Sequence, residues 1–262
     1  MNPKFMDTYV NGLQQTLEEK LFFIDKLGED YFRNKIIIDF GCGDGSVLAY
    51  IAKHCDCVGS DFVAVDINNQ MLRYAEEKLI TPQPVFFFNK LEDALPIINT
   101  KSESTKVILI ANSVFHELGE EQVKAVDFIR KYVDTFIIRD MYIDFNYAFE
   151  ADNFEDLKNS LASKIIANAN SKMLAQFVEK WGIDLMSFVH FLLKYTYVEN
   201  WETEIQEDYL SAWRFNLAHV LPKVVYENSY AQEWRVERVK KDFDIDLLKY
   251  TKSTHKMLIL ER

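Results

Sequence analysis

Apolar residues recur every three or four positions at Tyr9, Leu13, Leu17, Leu21, Ile24 and Leu27 and stop at Gly28, which predicts one amphipathic helix with a glycine end. The period then changes. Lys35 to Asp39 is a short β-branched run with charged flanks, the pattern of a buried parallel strand. A glycine loop follows, Gly41-Cys-Gly-Asp-Gly45, and then a helical stretch from Ser46 to Lys53. The alternation repeats with strands at Val63 to Asp66, Val85 to Phe88, Val107 to Ala111 and Thr135 to Arg139, and helices at Asn69 to Leu79 and Glu120 to Tyr132. Strands and helices alternating at this spacing predict βαβ units and an open α/β sheet covered on both faces.

Between about Asn146 and Asn200 the strand signal stops. Leu161, Ile165, Ala169, Met173, Phe177 and Trp181 form one helical stripe, and Leu185, Phe188, Leu192 and Tyr195 form another after Gly182. The segment Glu202 to Val220 reads as helical, Lys223 to Tyr226 as extended, and His255 to Glu261 as a closing strand. The expected organisation is an N-terminal helical segment (1–34), a sheet core (35–145 and 201–262) and a helical insertion or cap (146–200) after the fifth strand.

Thirty basic against forty-one acidic residues give a formal charge of −11, which disfavours a nucleic-acid backbone as partner and leaves a small molecule as the expected one. Apolar runs are too short for a membrane span, and the N-terminus lacks a signal core, so a cytoplasmic location is expected. Cys42, Cys55 and Cys57 set no disulfide framework, and His190, His219 and His255 have no ligand-like spacing, so no metal site is assigned. No oligomeric state is legible.

The glycine loop is the first candidate for chemistry, because glycine lets bare backbone approach a ligand. Its spacing, Gly41-x-Gly43-x-Gly45, is tighter than the G-x-G-x-x-G of dinucleotide sites, and it carries Asp39 before it and Asp44 within it. Two carboxylates oppose a pyrophosphate, since unit charges about 4 Å apart in a partly shielded site interact by roughly 4 kcal/mol. They suit a ligand with cationic groups, such as S-adenosylmethionine with its α-ammonium and sulfonium. Asp66 ends the second strand, where a carboxylate accepts from ribose hydroxyls; its other reading is a helix N-cap.

The chain resembles the class I, Rossmann-like, S-adenosylmethionine-dependent methyltransferases in Ile36 to Gly45 (IIIDFGCGDG), Val63 to Asn68 (VAVDIN) with Met71-Leu72, and Ile108 to Leu118 (ILIANSVFHEL). The resemblance implies a mostly parallel seven-stranded sheet with an antiparallel C-terminal strand at Thr254 to Arg262. It implies that Asp39, Gly41, Gly43 and Gly45 line the methionine part of the cofactor, that Asp66 binds ribose and that Ile67 packs on adenine. Glu92 and Asp93 are candidates for the adenine amino group. Asn112 and Ser113 would face the sulfonium and the substrate.

His116 follows on the same loop and is the candidate general base, since imidazole titrates near neutrality; the competing reading is a buried, hydrogen-bonded orienting residue. Asp140, Tyr142 and Asp144 lie at the same sheet edge, and an alternating, solvated strand extension accounts for Asp144. The acidic, aromatic stretch from Asn200 to Tyr209 suits a cationic substrate or a charged helix face. The expected activity is methyl transfer to a small nucleophile with release of S-adenosylhomocysteine. Its rivals are a non-catalytic binding module on the same fold and a nicotinamide-dependent oxidoreductase.

Overall fold

The structure is a computed structural model, and it describes residues 16–100, 102, 104–144 and 154–262. Seven strands form one sheet: β1 Lys35–Phe40, β2 Asp61–Val65, β3 Val85–Phe88, β4 Lys106–Asn112, β5 Thr135–Met141, β6 Lys223–Tyr230 and β7 His255–Glu261, in the order β3-β2-β1-β4-β5-β7-β6. Strands β1 to β5 pair in parallel, with Asp39 of β1 between Ala64 of β2 and Ile110 of β4. β7 runs antiparallel to β5, because Arg262 N donates to Asp134 O while Tyr142 N donates to Thr254 O. The sheet is therefore mixed, with a single reversal at β7.

The chain order reverses between β1 and β4: β1 leads to β2 on one side, and β4 lies on the other. In open α/β sheets this switch point, at the carboxyl ends of the strands, is where ligands bind. Ile36, Ile37 and Ile38 of β1 are fully buried, as expected of a strand covered on both faces.

Among the described residues the α-helices are α1 Leu17–Lys20, α2 Phe22–Leu27, α3 Ser46–His54, α4 Asn69–Lys78, α5 Leu95–Asn99, α6 Gln122–Tyr132, α7 Phe154–Asn168, α8 Ser171–Trp181, α9 Leu185–Tyr195, α10 Trp201–Glu204 and α11 Glu233–Phe243. Two compact units emerge. One comprises residues 1–140, 216–227 and 257–262, and the other residues 141–215 and 228–256. The second unit packs Leu161, Ile165, Phe177, Phe191, Trp201 and Phe243 into its own apolar cluster.

Three expectations change. Within the described residues the N-terminal helix is two pieces broken at Leu21, and its buried side chains are Lys20, Phe22 and Phe23, while Leu17, Leu21 and Ile24 are half-buried. Tyr9 and Leu13 lie outside the described residues. The stripe from Leu161 to Trp181 is two helices, because Asn170 ends one and caps the next by accepting from Lys172 N and Met173 N at 3.0 and 3.2 Å. Of the helix expected over Glu202 to Val220 only the short α10 and a 3-10 turn at Leu217–His219 form. Beyond it, Lys194 Nζ takes the carbonyls of Glu204 and Glu207, and Asp208 turns the chain by accepting from Leu210 N. The Glu204 carbonyl also accepts from Glu207 N at 3.3 Å, and both carbonyls serve a buried cation.

Candidate functional site

β1 delivers the chain into the glycine loop at the switch point. Gly41 has φ +73°, and a Cβ there would meet Val114 Cγ2 at 2.7 Å; Gly45 has φ +74°, and a Cβ would meet that of Ala75 at 2.9 Å. Only glycine fits both the angle and the space. The loop folds on its neighbours: Gly41 N and Cys42 N donate to Val65 O, Gly45 N to Cys42 O, and Gly43 N to Asp66 Oδ2 at 2.9 Å. Ser46 N donates to Asp44 Oδ1 at 3.1 Å. A pyrophosphate site depends on backbone N–H groups directed at the anion, and these five are spent within the protein.

The two loop acids divide. Asp44 pairs with Lys78 and accepts from Ser46 Oγ, so its charge is matched and it does not repel anions as the sequence suggests. Asp39 is 2% exposed, and burial pushes its carboxyl from 3.8 up to about 7, with Lys20 opposing and Asp66 and Asp44 adding to the rise. Its Oδ2 has no hydrogen-bond partner, and neither has either amide atom of Asn112. Buried polar atoms are otherwise almost always paired. The unpaired ones here come from β1 and the adjacent β4, at their carboxyl ends.

Asp66 is half-buried beyond β2. It accepts from Asn68 N at 2.8 Å and from Gly43 N, and burial raises its carboxyl's pKa against those bonds. The helix cap is Asn68, which accepts from Gln70 N at 3.0 Å, so capping of α4 is not the task of Asp66. Asn89, unremarked in the sequence, donates to Asp66 O and to Asn69 Oδ1. Ile67 is 90% exposed, an apolar side chain held out beside Asp66. Glu92 and Asp93 are exposed on the turn after β3.

Past β4, Ser113 adopts a left-handed φ of +57°, uncommon for a residue with a side chain and often found at functional sites. Its hydroxyl accepts from Arg139 Nη1 at 3.1 Å, and Arg139, 1% exposed, also pairs with Glu19 of α1. His116 lies on the next turn, 6% exposed, with Nδ1 2.5 Å from Asp140 Oδ1. The other oxygen of Asp140 accepts from Phe115 N at 2.7 Å. The sequence placed Asp140 at the right edge but not on His116, because the contact bridges 24 residues between two strand ends.

In the second unit, Trp201, Glu204 and Tyr209 are buried. Lys194 sits 4.0 Å from the Tyr209 ring, so this acidic, aromatic stretch does hold a cation, one of the chain's own. His190 packs edge-on against Phe177 and Trp181, and His255 Nδ1 is 2.9 Å from Thr254 Oγ1. Among the described residues no cluster of His, Cys, Asp or Glu could hold a metal ion.

The sheet order, with its one reversed strand and its site at the switch point, is that of the class I methyltransferase fold. Residues 38–134 match the protein family described as methyltransferase domain, and the chain thus carries an S-adenosylmethionine-dependent methyltransferase domain of class I, a family that implies use of that cofactor. The cyclopropane synthase MmaA2 from Mycobacterium tuberculosis superposes with a TM-score of 0.53 at 10% identity, covering 94% of this chain and 83% of that one. A methyltransferase from Anabaena variabilis gives 0.49 at 11% identity, covering 95% and 85%. At such identities the likeness is one of fold. No curated protein matches the chain.

Proposed function

We propose that the chain moves the methyl group of S-adenosylmethionine to a small nucleophilic molecule and releases S-adenosylhomocysteine. The observation that carries this reading is the set of buried, unpartnered polar atoms at the switch point, Asp39 Oδ2 and the Asn112 amide, within a methyltransferase domain. They suit a ligand that brings its own cationic and polar groups. The sulfonium, when bound, makes its methyl the electrophile.

The chain's residues then bind and orient. Asp39 takes the α-ammonium, with Gly41, Gly43 and Gly45 giving close backbone approach. A carboxylate has about four acceptor positions, so Asp66, with two engaged, keeps two for the ribose hydroxyls. Ile67 offers adenine a flat apolar contact, and Glu92 or Asp93 its exocyclic amine a carboxylate. Asn112 and Ser113 face the methyl-transfer point. His116 is the general base: with a carboxylate at Nδ1, that nitrogen carries the proton and the other nitrogen, Nε2, receives one from the acceptor. Asp140 is the positioning residue that sets this tautomer.

The division into a helical segment (1–34), a core (35–145 and 201–262) and an inserted helical segment (146–200) belongs to the same reading. So do a small-molecule acceptor, favoured by the charge of −11, and a cytoplasmic location. Among the described residues no helix is long and apolar enough to cross a membrane.

Calorimetry tests the assignment. S-Adenosylhomocysteine should bind, NAD should not, and Asp66→Ala should weaken S-adenosylhomocysteine about tenfold or more through the lost charge-assisted bonds. Tight NAD binding with no response to the sulfur ligand would overturn the reading.

A further inference from the structure

Lys20 is a buried cation that none of the steps above uses. It ends α1, which two contacts fix over the carboxyl ends of the central strands. α1 packs on α3, the helix that opens at Gly45, and Glu19, next to Lys20, pairs with the buried Arg139 at the end of β5. Lys20 therefore shares the strand-end space with Asp39. The charged groups that act on it are Arg139, Asp39, Asp44 and Glu19. Arg139 is engaged by Glu19 and Ser113, and Asp44 by Lys78. Asp39 is the facing acid whose Oδ2 has no partner, and among the described residues no ion pair closes between it and Lys20.

A buried amine and a buried carboxyl that stop short of contact each lose hydration when charged and gain little from one another. A zwitterion lying between them would satisfy both. The methionine end of S-adenosylmethionine is such a group: its α-ammonium matches Asp39, and its α-carboxylate is left needing a cation.

We propose that Lys20 binds the α-carboxylate of the cofactor, opposite Asp39, so that the amino-acid end is read by one charge of each sign. This inference rests on the assignment of Asp39 to the ammonium. It makes α1 part of the cofactor site and explains why a lysine is buried at the end of α1, beside the phenylalanines that open α2.

The test uses two ligands that differ in one group. S-Adenosylhomocysteine carries both charges, while S-adenosyl-3-thiopropylamine keeps the ammonium and lacks the carboxylate. Calorimetry on the full chain should show that Lys20→Met weakens S-adenosylhomocysteine about tenfold or more, the usual range for a lost charge-assisted bond. It should change the affinity for the amine by about threefold at most. Lys20→Arg should restore most of the difference. Because the readout is a ratio of two ligands on one variant, partial unfolding cancels. Equal losses for both ligands, or no loss for either, would overturn the role of Lys20 and leave the methyltransferase reading intact. Failure of the unaltered protein to bind either ligand would overturn both.

Discussion

Burial holds the Asp39 carboxyl protonated up to about pH 7, against 3.8 when free in water. The folded chain thus keeps this proton more tightly than the unfolded chain does, and the ligand-free protein loses stability as pH rises from about 4 to 7. Each pH unit in that window is worth roughly 1.4 kcal/mol. Asp39→Asn should therefore stabilise the ligand-free protein more at pH 8 than at pH 5, by roughly 3 kcal/mol in denaturant titrations. The same variant should lose S-adenosylhomocysteine affinity, the trade expected of a residue kept for a ligand. A second pair of variants concerns the proton. If the acceptor is a hydroxyl or an ammonium, His116→Ala should lower turnover by roughly 10²-fold or more, and Asp140→Asn should do so through the wrong tautomer. S-Adenosylhomocysteine affinity should survive both, since neither residue lies in the glycine loop. If the acceptor is a neutral amine, the loss should be small. A His116→Ala protein that unfolds, or that no longer binds S-adenosylhomocysteine, would place the residue in the scaffold.

At the scale of elements, periodicity located the strands of the parallel sheet and the helices between them well, because burial of one face imposes the period directly. β3 and β7 occupy the residues expected, Val85–Phe88 and His255–Glu261. Ends and interruptions were harder. The break at Leu21 is invisible to a count of apolar positions, yet it turns Lys20 inward with Phe22 and Phe23. The break at Asn170 had a local signal, an asparagine two residues before Lys172, but the stripe runs through it unbroken. Asn170→Ala removes two bonds to helix N–H groups and should cost about 1 kcal/mol, read as a lower denaturant midpoint with no change in slope. The failed helix over Glu202 to Val220 has a tertiary cause: Lys194, fully buried, draws its carbonyl partners from that stretch.

For the whole molecule, the sequence alone determined the α/β alternation, the glycine loop and the acid at the end of each of the first two strands. Each of these is a local demand. A positive φ, a buried strand or a carboxylate a fixed distance past a strand is written within a few neighbouring residues. The comparison of Asp39 with Asp44 shows where that stops. In sequence they are two acids of one loop; in the structure Lys78, 34 residues on, neutralises the second and leaves the first as the buried acid without an ion-pair partner among the described residues. Arg139 with Glu19, 120 residues apart, and His116 with Asp140 were likewise settled only when the strand ends came together. Such contacts leave no period in the chain, because parallel crossovers bring residues together at separations set by the intervening helices. Which chemical groups stand at the carboxyl edge of the sheet is thus written in the sequence, and the tertiary structure decided which of them are paired and which are left open to a ligand.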